Sequence, residues 1–468
     1  MSFMTAHATE KSTSFEAAFK EIGELFPSQF TQSDAILEHH SHGESWHPAA
    51  APGGVFFAES TEQVSQVVAL CNRHSVPIIP FGIGSCIEGQ VQAIHGGLTI
   101  DLSKMNEIVA IHASDMDCVV QAGVTRQQLN EELRASGLFF PIDIGAHATM
   151  GGLASTRASG TTTVRYGTMR DLVLSMTVVL PDGEIIRTGQ RARKSSAGYD
   201  LARLFIGSEG TLCIITELTV RLFGIPEEAQ AGMCSFETIE GATKMVVEAL
   251  QLGLCLNRIE LADSLQMYAI NRYSKTDLPE KPTLFLDLTG SVANVSHDLA
   301  ILEELATDNG AISFEKAENK DAYNALWKIR HDALWASRAL KPGAKGISTD
   351  VCVPISQLPQ CISSIQDVVA ESGLLAPLVG HVGDGNFHLV LLFDPDSEEE
   401  FKIAESVNAK LVRMAVEMGG TCTGEHGVGI GKKAYLDMEL GGAVGVMRSI
   451  KRAIDPKNIM NPGKIFDL

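Results

Sequence analysis

Apolar residues recur with a helical period in two segments near the start of the chain. In residues 15–26 an apolar side chain stands at every third or fourth position, behind a capping box made by Thr13 and Glu16. Residues 64–71 repeat the pattern behind a similar cap at Ser60. Side chains spaced in this way lie on one face of a helix. Both segments are therefore predicted to be helices that pack against a core.

Short apolar runs of strand length follow and predict a change of domain near residue 224. The runs before that point lie at residues 76–81, 98–102, 118–122, 176–180 and 212–216. A polar, proline-containing segment at 224–228 ends this series. Beyond it, two long helical patterns alternate with strand-like runs at 281–288 and 347–354. This change of pattern predicts a separate α+β domain in the second half of the chain.

The composition is that of an ordinary globular protein and excludes some partners. The chain has 468 residues, of which 45% are hydrophobic and 20% charged, and a formal net charge of −20 at pH 7. An excess of acidic residues repels the phosphates of nucleic acids and anionic membrane surfaces. No run of Lys or Arg offsets this charge, so we expect no nucleic-acid partner.

Neither apolar length nor cysteine spacing indicates a membrane-spanning or secreted protein. The longest nearly apolar stretches, such as Leu172–Leu180, are far shorter than the roughly 18 residues that span a bilayer. Residues 1–15 lack the apolar centre of a secretory signal and the arginines of a transit peptide. The nine cysteines form no C-x-x-C pair, which argues against disulfides and a thiolate zinc site. We expect a cytoplasmic protein, at most peripheral at the inner face of a membrane.

Three glycine-rich segments can bring backbone amides close to a phosphate. The first, Gly82–Gly89, has neither the spacing of a Rossmann dinucleotide loop nor the lysine of a Walker A motif. The second, Pro141–Ser155, is rich in glycine and hydroxyl residues, and the third, Gly198–Thr216, contains a tight turn before a strand. Such segments either form structural turns or surround a bound cofactor, and the residues alone leave both interpretations open.

Metal-ligand side chains are concentrated in two short segments of the last third. His381 and His388 lie seven residues apart with two glycines between them, and Glu425 and His426 are adjacent further on. Because seven residues cannot place two rings on one helical turn, the glycines predict a turn and a strand that bring the rings together. Two imidazoles and a carboxylate suit Zn²⁺, Mn²⁺ or Fe²⁺. A hydrogen-bond network centred on Asp384 is the alternative.

The glycine-rich segments, in this order, resemble the FAD-binding domain of the vanillyl-alcohol oxidase/p-cresol methylhydroxylase flavoproteins. Residues 50–222 carry the resemblance, and the Gly207–Thr211 turn is its most specific motif. The implied fold class is α+β, with a two-subdomain FAD-binding domain of the vanillyl-alcohol oxidase type and an α+β substrate (cap) domain with an antiparallel sheet. Ser85 stands where some members attach FAD through a histidine, which implies non-covalent FAD. The implied FAD contacts are Pro80, Gly82, Ile83, Gly84, Ser85, Cys86, Gly89, Pro141, Asp143, Gly145, Thr149, Gly151, Gly152, Ser155, Ser159, Gly160, Tyr166, Gly210, Ile215 and Asn461.

Four further motifs resemble the FAD-dependent, cytochrome-type D-lactate dehydrogenases and their sister groups, the glycolate oxidase catalytic subunits and the D-2-hydroxyglutarate dehydrogenases. The motifs lie at residues 327–331, 345–354, 380–388 and 420–427. The resemblance implies one divalent metal, zinc or manganese, on His381, His388 and Glu425. It also implies catalytic roles for His426 as base, Arg330 as carboxylate anchor, and Lys345 and Asn386 as further polar contacts. The implied domains are 1-223 (N-terminal helices and FAD-binding domain), 224-425 (substrate domain with the metal site) and 426-468 (C-terminal segment returning to the FAD domain).

These parts imply a dehydrogenase that oxidises D-lactate, or a similar D-2-hydroxy acid, to the 2-oxo acid with hydride transfer to FAD. A cytochrome, a quinone or an electron-transfer flavoprotein is the implied electron acceptor. Glycolate and D-2-hydroxyglutarate stay open as substrates, and so does a homodimer as the assembly. A flavin-free metallohydrolase and a non-redox flavoprotein transferase of the alkyl-glycerone-phosphate synthase kind are the alternatives from other classes.

Overall fold

The N-terminal helices form where the apolar period predicts them. The computed structural model describes residues 15–468, so the predicted cap at Thr13 lies outside the described residues. The helices of this part are α1 (residues 15–25), α2 (Asp34–His39) and α3 (Thr61–His74). Ser60 accepts a hydrogen bond from the amide of Gln63, 3.2 Å away. The cap predicted for the second helix is therefore confirmed.

The first sheet has parallel strands at its centre and one antiparallel edge strand. Its strands are β1 (Phe30–Thr31), β2 (Gly54–Phe57), β3 (Ile78–Phe81) and β4 (Leu98–Asp101). The order is β1-β2-β4-β3, in which β4 pairs in parallel with both β2 and β3. The segment Gly82–Gly89 leaves the carboxyl end of β3, where ligand-binding loops of parallel sheets lie.

The second sheet is antiparallel and has five strands in the order β5-β6-β10-β8-β9. Its strands, with the small β7–β11 pair beside it, are β5 (Ile108–His112), β6 (Asp117–Gln121), β7 (Leu138–Phe139), β8 (Val173–Val179), β9 (Ile185–Arg187), β10 (Ile214–Arg221) and β11 (Phe223–Gly224). The connecting helices are α4 (Arg126–Leu133), α5 (Met150–Thr156), α6 (Thr163–Tyr166), α7 (Met169–Leu172) and α8 (Leu201–Phe205).

The second half of the chain builds one antiparallel sheet of eight strands. Its strands are β12 (Glu228–Phe236), β13 (Leu256–Ala262), β14 (Thr283–Gly290), β15 (Ala311–Lys316), β16 (Lys345–Ser348), β17 (Val351–Cys352), β18 (Leu378–Gly380) and β19 (Asn386–Phe393). The order is β15-β12-β14-β13-β18-β19-β16, and β17 also pairs with β19. The single run predicted at 347–354 is thus two short strands, interrupted at Thr349 and Asp350.

Helices cover this sheet and form the C-terminal segment. They are α9 (Ile239–Gln251), α10 (Ser264–Ser274), α11 (Val292–Asp308), α12 (Lys320–His331), α13 (Ala333–Ala339), α14 (Leu358–Ser372), α15 (Glu398–Glu417), α16 (Leu436–Leu440) and α17 (Gly442–Ile454). In the described part of the chain, no helix combines the length and apolar character needed to cross a bilayer.

The hydrophobic cores follow the two halves of the chain, and the C-terminal tail contributes to both, because Ile465 and Phe466 pack against the core of the second half. One core collects apolar residues between 18 and 222, together with Ile459 and Met460. A second core begins at Cys234 and includes residues as far as Val444. The tail is fixed because the amide of Ile78 donates to the carbonyl of Ile459, 2.7 Å away. The α+β class with an antiparallel sheet is confirmed, whereas the division at 223/224 and 425/426 stays a prediction.

Candidate active site

A β-hairpin brings the two predicted histidine ligands together. Strands β18 and β19 pair antiparallel, and the rings of His381 and His388 lie 5.4 Å apart between centroids. The turn requires glycine at position 385, since φ there is +79° and a Cβ would lie 2.0 Å from the carbonyl oxygen of Val353. The turn and strand predicted from the glycine spacing are therefore confirmed.

Glu425 completes a group of three donors at this hairpin. Its Oε1 lies 3.1 Å from His381 Nε2 and 3.4 Å from His388 Nε2. Ser159 Oγ donates to the other carboxylate oxygen of Glu425, 2.9 Å away. Donor atoms bound to one metal at about 2.1 Å lie roughly 3.0–3.4 Å from one another in tetrahedral or octahedral geometry. The two separations from Glu425 fit a divalent cation, and all three donor atoms lie within 4.8 Å of one another.

The outer nitrogen of each histidine ring is fixed by an acceptor. Glu260 places both carboxylate oxygens 2.9 Å from His381 Nδ1. The carbonyl oxygen of Thr349 lies 2.9 Å from His388 Nδ1. An acceptor at Nδ1 selects the tautomer that leaves Nε2 free as a donor atom, an arrangement common around metal-ligating histidines. The acceptors at Nδ1 are therefore a second feature, beside the donor spacing, that fits a metal site.

Positive and negative charge alternate within this group. Burial lowers the pKa of His381, but the carboxylates of Glu260 and Glu425 outweigh it and raise the pKa well above the usual value. Burial raises the pKa of Glu425, but His381 and His388 hold it well below the usual value. The group therefore stabilises a positive charge between Glu260 and Glu425, as a cation-binding site must.

Asp350 is the centre of the hydrogen-bond network beside the histidines. This buried carboxylate accepts the amides of Glu425 and His426, each 2.9 Å away, and the hydroxyl of Thr423, 2.8 Å away. Burial raises its pKa, but His426 and the Lys432 ammonium outweigh the effect and lower it below the usual value. The sequence predicted Asp384 as the centre of the alternative hydrogen-bond network. In the structure the centre is Asp350.

The ring of His426 stacks on that of His388 and faces no hydrogen-bond partner through Nδ1. The centroids are 4.8 Å apart at an angle of 12°. His426 Nδ1 is buried and lies 3.9 Å from Asp350. Burial lowers the pKa of His426 to about 4, so the imidazole is neutral at pH 7. A neutral imidazole is the form that can accept a proton.

Arg330 ends helix α12 with its guanidinium buried beside the same cluster. Its Nη2 donates to Glu260, the carboxylate that also accepts from His381. Its Nε is buried without a hydrogen-bond partner. A cavity lies beside this cluster, and Arg330 is the one Lys or Arg side chain among the described residues that line it. A fixed guanidinium with a free donor is suited to binding a carboxylate.

A cavity of about 430 Å³ joins this cluster to the glycine-rich segments. Arg330, His381, His388, Glu425 and His426 all lie in its wall. The implied FAD contacts that also line it are Pro80, Gly82, Ile83, Gly84, Ser85, Cys86, Gly145, Thr149, Gly151, Gly152, Ser155, Gly210, Ile215 and Asn461.

Comparison with family models assigns both halves of the chain to FAD-linked enzymes. Residues 225–465, more than half of the chain, match the model described as FAD linked oxidases, C-terminal domain. Residues 52–189 match the FAD binding domain. The chain is therefore an FAD-binding protein.

Curated relatives identify the group within these enzymes. A probable D-lactate dehydrogenase, mitochondrial, of Danio rerio is 46% identical over 438 residues, which cover 93% of this chain and 88% of the relative. D-lactate dehydrogenase (cytochrome), mitochondrial, of Arabidopsis thaliana is 46% identical over 92% of this chain and 76% of the relative. A glycolate oxidase subunit of Bacillus subtilis is 34% identical over 94% of both chains. The chain belongs to the family of FAD-linked D-lactate dehydrogenases and glycolate oxidase subunits.

Solved structures show the same fold at low sequence identity. The chain aligns with p-cresol methylhydroxylase with a TM-score of 0.80 and 19% identity, over 97% of both chains. It aligns with alkyldihydroxyacetonephosphate synthase with a TM-score of 0.75 and 20% identity, over 95% of this chain and 85% of the other. The fold predicted from the glycine-rich segments, that of the vanillyl-alcohol oxidase type, is confirmed.

The names of the relatives contradict the cytoplasmic location expected from the sequence. The D. rerio and A. thaliana proteins are both named mitochondrial, so that expectation is wrong. The cysteines are free in the structure, as predicted. Reduced thiols are typical of reducing compartments in general and do not by themselves indicate the cytoplasm.

The glycine-rich walls fit a cofactor that approaches the backbone closely. A Cβ on Gly82 would lie 2.7 Å from Thr149 Oγ1, and one on Gly151 would lie 2.7 Å from the Cβ of Ala122. Asn461 joins the tail to this wall because its Nδ2 donates to the carbonyl oxygens of Gln90 and Glu209, 3.0 and 2.7 Å away. At Gly82 and Gly151 a side chain would collide with the neighbouring wall, so the backbone itself faces the cavity there, as an FAD site requires.

Three implied FAD contacts from the middle segment lie outside the cavity wall. Asp143 forms ion pairs with Arg126 and Arg258 at 2.8 and 3.0 Å. The carbonyl oxygen of Pro141 accepts the hydroxyl of Thr162, 2.6 Å away. Gly160, with φ +118°, packs against the backbone of Asp143. Each of these three groups has a partner within the protein, and their implied role as FAD contacts stays a prediction.

Three more implied FAD contacts have other partners. Ser159 donates to Glu425 and so belongs to the side chains around the three-donor group of His381, His388 and Glu425. The ring of Tyr166 packs between Phe139 and Phe223, at 5.6 and 4.8 Å between centroids. Gly89, with φ +77°, packs against Ile430 and His47. None of the three is among the described residues that line the cavity, and their implied role as FAD contacts stays a prediction.

Two implied catalytic contacts, Lys345 and Asn386, also lie outside the cavity wall. Lys345 is exposed and pairs in β16 with Phe393, whereas Ser348, three residues or roughly 10 Å further along the strand, lines the cavity. Asn386 Nδ2 donates to Asp350 Oδ1, 2.7 Å away, and to a backbone carbonyl. Lys345 is thus distant from the cavity wall, and the NH₂ group of Asn386 is bound within the protein while its buried Oδ1 has no partner. The role of both residues as further polar contacts stays a prediction.

Sequence reasoning assigned no role to three buried carboxylates of the site. Glu260 comes from β13, Asp350 from the break between β16 and β17, and Glu209 from the Gly207–Thr211 turn. The only signal in the sequence is an acidic residue within an apolar strand pattern, as at Glu260. The partners of these carboxylates lie tens to hundreds of residues away, so spacing along the chain cannot identify them.

Proposed function

We propose that this chain is an FAD-dependent dehydrogenase that oxidises D-lactate, or a similar small D-2-hydroxy acid, to the 2-oxo acid. The observation that carries the proposal is that one cavity contains the FAD loops, a set of metal donors, a neutral histidine and a fixed arginine. Each of these parts meets one requirement of 2-hydroxy-acid oxidation. The names of the relatives support D-lactate as the substrate.

Arg330 holds the substrate carboxylate. Lactate carries one full negative charge, and Arg330 offers the single guanidinium among the described residues of the cavity wall. Glu260 fixes the guanidinium through Nη2 and leaves the buried Nε free for a further hydrogen bond. A charge-assisted bond of this kind also orients the α-carbon, because the carboxylate is attached directly to it.

His426 takes the proton of the substrate hydroxyl. A divalent metal on His381, His388 and Glu425, when bound, supplies Lewis-acid stabilisation of the developing alkoxide. His426 Nε2 lies 4.0 Å from Glu425 Oε1 and accepts the proton. Asp350, 3.9 Å from Nδ1 on the other side of the ring, stabilises the imidazolium that forms. Bound FAD supplies the acceptor for the hydride that leaves the α-carbon.

The cavity favours a monocarboxylate over a dicarboxylate. A second carboxylate would need a second cationic group, and the one that the sequence offered, Lys345, is exposed outside the wall. Glycolate is the second candidate, because a glycolate oxidase subunit is 34% identical over 94% of the chain. As electron acceptor we propose a cytochrome, in line with the name of the A. thaliana relative. A homodimer stays a prediction.

The proposal is tested with the purified protein, D- and L-lactate, glycolate, D-2-hydroxyglutarate and an artificial dye acceptor. We expect flavin bleaching without oxygen and dye reduction with D-lactate, and much slower reactions with L-lactate and the dicarboxylate. A colourless protein that hydrolyses esters or phosphates would instead indicate the metallohydrolase. A yellow protein that no 2-hydroxy acid bleaches would refute the dehydrogenase proposal.

Replacing Arg330 by alanine is expected to raise KM for D-lactate about 10- to 100-fold. The estimate follows from the loss of a charge-assisted hydrogen bond of about 1.5–3 kcal/mol. FAD content should stay normal, because Arg330 is not among the implied FAD contacts. The matched control is Lys328→Ala on the same helix, since Lys328 is 73% exposed. Steady-state kinetics decide: an unchanged KM in a flavin-replete Arg330→Ala protein would remove the anchor role.

FAD is expected to be released when the protein is precipitated with acid. The tethering position is Ser85, which has no nucleophilic nitrogen or sulfur. Its neighbour Cys86 lines the cavity, but burial raises the pKa of this thiol to about 11, so the reactive thiolate is scarce at pH 7. The absorbance of the supernatant measures the release. Yellow colour that remains in the pellet would contradict non-covalent binding.

A further inference from the structure

Two buried carboxylates from distant parts of the chain hold the loop 425–429. Asp350, from the β16–β17 break, accepts the amides of residues 425 and 426, each 2.9 Å away. Glu209, from the Gly207–Thr211 turn, accepts the amides of residues 428 and 429 at 2.6 and 2.8 Å. Four amides of five consecutive residues are therefore bound by side chains from the two halves of the protein. The loop has little freedom to shift relative to either half.

The Glu209 turn is itself part of the cofactor wall. Glu209 and Gly210 line the cavity, and a Cβ on Gly210 would lie 2.6 Å from Pro80 Cγ. The carbonyl oxygen of Glu209 accepts from Asn461 Nδ2. The side chain is 5% exposed, and burial raises its pKa to about 7. The carboxylate thus connects a fixed part of the FAD site to the loop that carries His426.

A second bond connects the same two parts. Gln90, which also lines the cavity, donates from Nε2 to the carbonyl oxygen of His426, 2.8 Å away. Packing at the loop is tight, because a Cβ on Gly427 would lie 2.5 Å from Glu209 Oε1. The backbone of His426 is therefore held by bonds from the cavity wall as well as by Asp350. These bonds fix its position along the cavity.

We propose that Glu209 is a positioning residue that sets the distance of His426 from the flavin. The inference rests on the proposed function, since it assigns no chemistry to Glu209 itself. The base and the hydride acceptor must reach the same substrate from different sides, so an error in their separation slows the reaction without weakening substrate binding. A misplacement of about 1 Å can cost on the order of 10²-fold in rate.

The Glu209→Gln variant tests this role. Glutamine keeps the size of the side chain but replaces one acceptor oxygen by an NH₂ group, which faces an amide N–H and cannot bind it. We expect kcat with D-lactate to fall about 10- to 100-fold, with KM within about threefold, because Arg330 is untouched. Bound FAD and bound zinc or manganese should stay close to those of the parent, and Tm should fall no further than in a variant that loses a buried carboxylate clamp elsewhere in the protein.

The control for the loss of a buried clamp is Asp263→Ala, because one oxygen of Asp263, Oδ1, accepts both of its amides and asparagine would keep that oxygen. Asp263 is another buried carboxylate that accepts two backbone amides, those of Gln266 and Leu378 at 2.8 and 3.2 Å, and it does not line the cavity. The control shows what the loss of such a clamp does to stability alone. We expect it to lower Tm without the selective loss of kcat.

The outcomes separate the positioning role from the proposed function. A parent protein that oxidises no 2-hydroxy acid refutes the proposed function. An active parent with unchanged kcat in Glu209→Gln refutes the positioning role, and so does a variant that loses FAD or metal together with activity. Where Glu209→Gln does not fold, Gln90→Met, which removes the second bond to the loop, must show the same fall in kcat at constant KM.

Discussion

The His426→Ala variant is expected to reduce its flavin about 10²–10⁴-fold more slowly than the parent, the range usual for loss of a general base. His426 touches neither donor atom of Glu425 closely, since Nε2 lies 4.0 Å from Oε1. Metal and FAD should therefore remain bound. The loss should appear in the rate of flavin bleaching by D-lactate without oxygen, measured in a stopped-flow spectrometer.

The size of this effect follows from the surroundings of the ring. His426 is stacked on His388 with 14% of its side chain exposed, and its lowered pKa leaves the imidazole neutral at pH 7 and available as a base. Among the described titratable groups of the cavity wall, His381, His388 and Glu425 are already paired with one another. No paired group can replace the base without leaving the cluster. The variant should consequently keep only the rate that binding and orientation provide.

His297→Ala is the control for the general effect of removing an imidazole. His297 lies on the exposed side of α11, in the half of the chain that also carries His426. We expect parental rates and parental metal content. A His426→Ala protein with normal bleaching would refute the base role, and one that has lost its metal would make His426 a ligand.

The hairpin of the site could be predicted from the sequence because all its determinants are local. Two glycines between His381 and His388 require a turn, and the apolar residues after the turn require a strand. The structure places the rings 5.4 Å apart. Local spacing was sufficient here, since the turn and the strand lie within about ten residues of each other.

The carboxylates around the hairpin could not be predicted in the same way. Glu260 reaches His381 only because β13 pairs with β18, and nothing near Glu260 in the sequence encodes that pairing. Asp350 reaches His426 from 76 residues away. The Asp384 alternative was wrong for the same reason, because proximity in sequence does not predict which buried acid meets the amides of a distant loop.

Lys345 shows the limit of a motif as a guide to contacts. The motif 345–354 contains Thr349 and Asp350, which do reach the site. A strand extends about 3.3 Å per residue, so a residue four positions earlier lies well outside the cavity. Asp143 shows the same limit, since its loop lines the cavity while its own side chain is bound by Arg126 and Arg258.

The Glu425→Ala variant is expected to lose its divalent metal and its activity together. Glu425 is the only carboxylate of the three-donor group and lies 3.1 and 3.4 Å from the two histidine nitrogens. Loss of a residue that merely orients a ligand costs about 10- to 100-fold in metal affinity. Loss of a ligand itself should cost more than that, because a pair of neutral imidazoles retains no charge to balance the cation.

Ser159→Ala provides the graded comparison that makes this prediction specific. Ser159 donates to Glu425 Oε2 and orients the carboxylate without offering a donor atom of its own to the group. We therefore expect Ser159→Ala to weaken metal binding about 10- to 100-fold, and Glu425→Ala to abolish it at the same free metal concentration. Glu417→Ala, on the exposed side of α15, controls for the loss of an acidic residue.

Metal content of the purified variants, measured by mass spectrometry beside the flavin bleaching rate, decides between the two roles. FAD content should stay at the parental level in Glu425→Ala and Glu417→Ala, because neither residue is among the implied FAD contacts. Ser159 is one of those contacts, so the FAD content of Ser159→Ala is measured beside its metal content. If Glu425→Ala keeps its metal while His426→Ala loses it, the two assignments must be exchanged: His426 would then complete the donor set with His388 and Asp350, whose donor atoms also lie within 4.8 Å of one another.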